Sequence, residues 1–215
     1  MSSGLAFSGV ILDLDGLLLD TERWTVERGP DLFAAYGFDF STDFFHSLVG
    51  ISDIEGAQIM SAQSGRTVDT AFVEKVWRDA MDGLTELPLR PGVLGFLDTL
   101  DAHKLPRAVA TNSVTDRAQW KLKVGGLLSR VDVVVGRDQV AHAKPAPDVY
   151  LEAARRLGIA PGDCAALDDS DVGVRAAVDA GVKIVVQIPD MMPSTERAAH
   201  HEAESLTAAI EILGL

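Results

Sequence analysis

Apolar residues recur along the chain in short, unbroken runs. Phe7 to Leu12 is one, closing on Asp13; others cover Arg107–Ala110, Val131–Val135, Cys164–Leu167 and Val182–Ile188. Runs of this length suit strands buried on both faces of a parallel sheet. Helical patterning lies between them. Pro91 stands where a helix would start, with Leu94, Leu97 and Leu100 behind it on one face. Ser113, three residues before Asp116, is placed to N-cap the next helix. Pro147 opens another, with Val149, Ala153 and Leu157 in step and Gly158 as its stop; Asp171 to Ala180 makes a short one ending at Gly181. Strand and helix alternate from Pro91 onward, which predicts an α/β fold with a doubly wound, Rossmann-like parallel sheet.

Residues 21–89 read differently. Strand-like runs give way to helical patches with aromatic anchors, first Trp24, Leu32, Phe33 and Tyr36, then Phe72 and Trp77. Glycines at 37, 50, 65 and 83 punctuate the stretch. The expectation is a helical domain at 21–89 inserted into a core built from 1–20 and 90–215. Gly29-Pro30 should break or offset its first helix, because Pro30 has no N–H for the helix ladder. The chain has no internal repeat and no low-complexity linker.

Composition narrows the partners. Of 215 residues, 47% are hydrophobic, ample for a buried core. The formal charge of -13 argues against nucleic acid and anionic lipid, and no apolar segment is long enough to span a membrane. The single cysteine, Cys164, cannot form an internal disulfide, and no secretory leader is visible. A cytoplasmic protein is expected. So acidic a chain would need a bound divalent cation to hold an anionic substrate.

Two acidic clusters follow predicted strands. Asp13-Leu14-Asp15-Gly16 closes the first run, and side chains two apart on an extended chain point the same way. Ligands collect outside the carboxyl ends of such strands, and Gly16 lets backbone N–H groups approach an anion. The other reading of this stretch is plain turn chemistry. Asp168-Asp169-Ser170-Asp171 follows the fourth run. Ser170 or Asp169 could cap the next helix, but capping leaves Asp168 unexplained. Hard oxygen donors in this number favour Mg²⁺, and no His/Cys cluster offers a zinc site. Thr111-Asn112-Ser113 follows the second run, offering a hydroxyl and N–H groups or merely an ST-turn. Lys144-Pro145 falls in the loop after the third, where Lys144 is either a site cation or a solvated charge.

These four elements, in this order, closely resemble the signature of the haloacid dehalogenase-like hydrolase superfamily. Asp13-Leu-Asp15-Gly16 with Asp20-Thr21-Glu22 is similar to its first motif and Thr111-Asn112-Ser113 to its second. Lys144-Pro145-Ala146-Pro147-Asp148-Val149-Tyr150 resembles the third, and Asp168-Asp169-Ser170 with Gly173 and Ala180-Gly181 the fourth. The branch with a helical cap after the first motif, containing β-phosphoglucomutase-like proteins and sugar-phosphate phosphatases, matches best. The resemblance implies phosphoryl transfer, with Asp13 as nucleophile and Asp15 as general acid and base. It also implies Thr111 and Lys144 as catalytic groups on the phosphoryl oxygens, with Gly16 and Asn112 binding phosphate. Mg²⁺ would be held by Asp13, the Asp15 carbonyl, Asp168 and Asp169.

Relatives that break carbon–halogen bonds resemble this motif only in the first aspartate, so Asp15 counts against dehalogenation. Relatives that break carbon–phosphorus bonds use a cap lysine, and the cap lysine here is Lys75, in a helical stretch. Mutases of the branch carry basic residues around a Gly-x-Ser step. Here it reads Val49-Gly50-Ile51-Ser52-Asp53, with neither basic residue. Gly50 and Ser52 remain candidate substrate contacts, and a small monophosphorylated sugar or polyol is the expected substrate. A phosphomutase, or a silent binding module on the same fold, is the alternative; the latter would be expected to have lost acids that are all present. No G-x-G-x-x-G follows the first strand, which excludes the dinucleotide fingerprint.

Overall fold

All four residues of β1 (Gly9–Leu12) are buried, as are those of β2 (Arg107–Ala110) and all five of β4 (Cys164–Asp168), so unbroken apolar runs became central strands. The computed structural model describes residues 5–49, 51 and 53–215. Its contacts divide the chain into two compact units, 1–20 with 87–215 and 21–86.

Among the described residues the larger unit holds a parallel six-stranded sheet in the order β3-β2-β1-β4-β5-β6, with β3 Val133–Val135, β5 Ile184–Gln187 and β6 His201–Glu202. This is the doubly wound order that the alternation predicts. The exposed edge strand β6 has no apolar run to announce it. Alanines at 108, 110, 165 and 166 keep the sheet surface low under its helices. α7 (Asp148–Leu157) packs Val149, Tyr150, Ala153 and Ala154 into the core that contains Ile11, Ala108 and Ala166. α5 (Val93–Ala102), α6 (Thr115–Val124), α8 (Asp171–Asp179) and α9 (Leu206–Leu213) complete this unit.

Two local expectations change. The α5 face turned inward is Val93, Phe96, Leu97 and Leu100, spaced i, i+3, i+4 and i+7, and Leu94 is exposed. At 100° per residue Leu94 stands one full step beyond Val93, outside the arc spanned by Phe96, Val93, Leu100 and Leu97. Ser113 does not cap α6. Asp138 reaches across to accept from the Thr115 N–H at 2.7 Å and the Thr115 hydroxyl at 2.8 Å, which frees the Ser113 side chain.

The smaller unit is helical: α1 Thr21–Ala34, α2 Thr42–His46, α3 Asp53–Ser64 and α4 Thr70–Asp82. Its centre is Phe33, fully buried, with Phe45 and Trp77 ring centroids 5.4 and 5.5 Å away and Phe72 at 6.1 Å, mostly edge-on. α1 runs through Gly29-Pro30 without the expected break. A Cβ at Gly29 would stand 2.7 Å from the Phe45 ring, so tight α1–α2 packing accounts for the glycine. Lys75 lies on the exposed face of α4, paired with Asp79 one turn on, the solvated role its helical setting allows. No described helix is long and apolar enough to cross a membrane.

Candidate active site

The sheet order places a switch point at β1, since β2 leaves on one side and β4 lies on the other. Crevices open outside the strand tips at such points. Register then aligns the acids. Leu12 pairs with Leu167, and the Asp13 N–H donates to the Leu167 carbonyl at 3.0 Å, so Asp13 and Asp168 stand side by side on adjacent strands. Thr111 follows β2 on the other side of β1, its N–H on the Val135 carbonyl.

Lys144 joins the two acids. Its Nζ donates to Asp13 Oδ1 at 2.5 Å and Asp168 Oδ2 at 2.8 Å, and all three side chains are buried. Desolvation pulls the Lys144 ammonium down, but Asp13 and Asp168 outweigh it and hold the pKa well above the usual lysine value. Burial pushes Asp13 up to about 7; Lys144 pulls back, while Asp168 and Asp15 add to the rise.

The Lys144 loop is held by Asn112. Its Oδ1 accepts from the Lys144 N–H at 2.9 Å and its Nδ2 donates to the Lys144 carbonyl at 3.3 Å. The Lys144–Pro145 peptide is cis. Asn112, expected on phosphate, thus uses its side chain to place the lysine. Thr111 makes the ST-turn: Oγ1 accepts from the Ser113 N–H at 3.1 Å, a bond that does not use its own hydroxyl proton.

Asp168 differs from the expectation of a direct metal ligand. Oδ1 accepts from the Ser170 N–H at 3.0 Å and hydroxyl at 2.8 Å; Oδ2 accepts from Lys144 and, at 2.6 Å, from the Tyr150 hydroxyl. Four protein donors fill its acceptor sites, so it anchors Lys144. Tyr150 stands in the third motif but carries no role there, because an aromatic on the buried face of a helix reads as core, which it also is. Gly173 makes room, since a Cβ there would overlap the Asp168 carboxylate. Gly173→Ala should therefore push Asp168 off Lys144, lowering turnover ~100-fold and stability by about 1–3 kcal/mol, read by phosphate release and a urea midpoint.

The rest of the second cluster divides by role. Ser170 caps α8, accepting from the Gly173 N–H at 3.0 Å. Asp171 is structural: burial raises its pKa, but hydrogen bonds from Thr195, Gln187 and Ser194 win and hold it well below the carboxylate range. Asp169 is half-buried against Gly16, whose φ of 86° leaves no place for a Cβ. Among the described residues no three His, Cys, Asp or Glu side chains form a ready cage. Such a cage is not required for Mg²⁺, which binds through one or two carboxylates, retains water and takes substrate phosphate oxygens.

Asp15 is engaged by a residue the motifs did not mark. Lys121 Nζ lies 2.7 and 2.8 Å from its two carboxylate oxygens, and the Ser113 hydroxyl donates to Oδ2 at 2.9 Å. The signal was present: Lys121 falls among Ala118 and Leu122 on the buried side of α6. Gly50 and Ser52, and the Asp53 side chain, lie outside the described residues. Cys164 is buried, and desolvation raises its thiol to about 11, so it is a core residue rather than a nucleophile.

Fold and site together define an α/β protein with a buried, lysine-paired aspartate at the switch point of a parallel sheet. A family model for haloacid dehalogenase-like hydrolases matches residues 10–187. A phosphorylated carbohydrates phosphatase of Thermotoga maritima is 29% identical over 208 residues, 96% of each chain. Fructose-1-phosphate phosphatase YqaB of Escherichia coli K12 is 30% identical over 181 residues, 83% of this chain and 95% of that one. In fold, a Thermotoga maritima protein assigned as a beta-phosphoglucomutase superposes with a TM-score of 0.81 at 26% identity, over 96% of this chain and 98% of that one. The chain belongs to the haloacid dehalogenase-like hydrolase family, among its phosphohydrolases.

Proposed function

We propose that the protein is a Mg²⁺-dependent phosphatase of a small phosphorylated metabolite, a sugar or polyol monophosphate, acting through an aspartyl-phosphate on Asp13. The observation that carries this reading is the Asp13 carboxylate at the tip of β1, bound by Lys144 Nζ at 2.5 Å, with Thr111 on the neighbouring strand tip. The carbohydrate-phosphate relatives support the substrate class.

In the first step an Asp13 oxygen bonds to phosphorus as the P–O bond to the leaving group breaks, and Asp15 gives its proton to the leaving oxygen. In the second, water loses a proton to Asp15 as its oxygen attacks phosphorus, the Asp13–P bond breaks, and inorganic phosphate leaves. Lys144 and Thr111 donate to the phosphoryl oxygens, where charge grows. Asp13, Asp169 and the Asp15 carbonyl would hold Mg²⁺, which when bound neutralises charge shared between Asp13 and the phosphoryl group. The helical unit, as a cap, is the proposed source of substrate choice, and the single reduced cysteine accords with a cytoplasmic setting.

Phosphate release from a panel of sugar, polyol and nucleotide monophosphates, with Mg²⁺ and with EDTA, tests the proposal. Turnover is expected with Mg²⁺ on sugar or polyol monophosphates and near background with EDTA. Release unaffected by EDTA would remove the metal from the proposal. No release, with sugar-phosphate isomerisation in its place, would make the protein a mutase.

A further inference from the structure

We infer that Lys121, with Ser113, is a positioning residue that sets the orientation of the Asp15 carboxylate, an inference that rests on the proposed acid–base role of Asp15. Lys121 and Lys123 both lie in the last turn of α6, where cations favour the helix end. Their surroundings differ. Lys123 is exposed, whereas the Lys121 side chain is only 11% exposed, among Ala118 and Leu122. A lysine turned into a core loses hydration and is retained only against a partner.

The partner is Asp15. An ammonium 2.7 Å from one carboxylate oxygen and 2.8 Å from the other sits astride the group and opposes its rotation. The Ser113 hydroxyl, 2.9 Å from Oδ2 and 3.2 Å from the same Nζ, closes a triangle that selects one side of the carboxylate. Asp15 follows β1 in a turn secured by the Gly16 N–H on the Leu19 carbonyl, so its backbone is fixed independently. What Lys121 and Ser113 add is the side-chain direction. An acid–base group acts only from the right angle and distance, and a displacement of about 1 Å can cost ~100-fold.

The consequence depends on the leaving group. A sugar alkoxide needs Asp15's proton in the first step; p-nitrophenolate does not. The full chain and its Lys121→Met, Lys121→Arg, Ser113→Ala and Asp15→Asn variants are compared on the fastest sugar monophosphate of the panel and on p-nitrophenyl phosphate, with Mg²⁺. Lys121→Met is expected to lower kcat on the sugar monophosphate ~10- to 100-fold with KM within about twofold. Its first-turnover burst of p-nitrophenol should stay within about threefold of the parent, and Lys121→Arg should recover most of the sugar-phosphate rate. If Lys121→Met does not fold, Ser113→Ala carries the same comparison with only a hydroxyl removed.

Equal losses on both substrates, or none on either, would overturn the assignment while Asp15→Asn is inactive on the sugar monophosphate. An Asp15→Asn variant as active as the parent would instead overturn the underlying mechanism.

Discussion

Asp13→Asn is expected to lower phosphate release ~10⁴- to 10⁶-fold while leaving the protein folded, the scale of losing a covalent nucleophile. The amide is nearly isosteric and cannot attack phosphorus. Folding should survive because Lys144 keeps Asp168 at 2.8 Å and because a carboxyl whose burial raises it to about 7 gains little from its charge. A melting temperature equal to or above that of the parent, with turnover at background, is the expected pair of results. Retained turnover would sink the aspartyl-phosphate reading and point to water attacking directly.

Lys144→Met should harm both activity and stability. Asp13 and Asp168 would face each other in a buried site with their shared cation gone. Breaking a buried ion pair on one side costs about 3–5 kcal/mol, and losing a charged donor to the phosphoryl group costs ~10²–10³ in rate. Chemical denaturation and steady-state phosphate release, both in EDTA and in Mg²⁺, measure these effects. Added Mg²⁺ should recover part of the stability, since a cation beside Asp13 and Asp169 relieves the same repulsion. A variant as stable as the parent would mean that the Tyr150 and Ser170 hydrogen bonds alone suffice to hold Asp168.

The central strands were legible because each is a short apolar run ending in a polar residue, a pattern that needs no partner to be read. The two acidic clusters were legible for the same reason, as carboxylates directly after such runs. Asp168 shows where this stops. Its neighbours in sequence suggested a metal ligand, but Lys144 and Tyr150 come to it from a distant loop and helix and fill its oxygens. Asn112 shows the same thing, since its amide proves to serve the backbone of a residue 32 positions away. Ser113 was read as a helix cap because capping is local; Asp138, from beyond β3, took that role and left Ser113 to Asp15.

Sequence alone determined the doubly wound class, the helical insertion and the identity of the acids at the strand tips, because hydrophobic period and strand-end chemistry are local properties. Tertiary structure decided which acids hold the buried Lys144 and which lysine of α6 turns inward. Those outcomes follow from who meets whom: a buried charge is settled by donors that long-range strand register and helix packing bring within 3 Å of it.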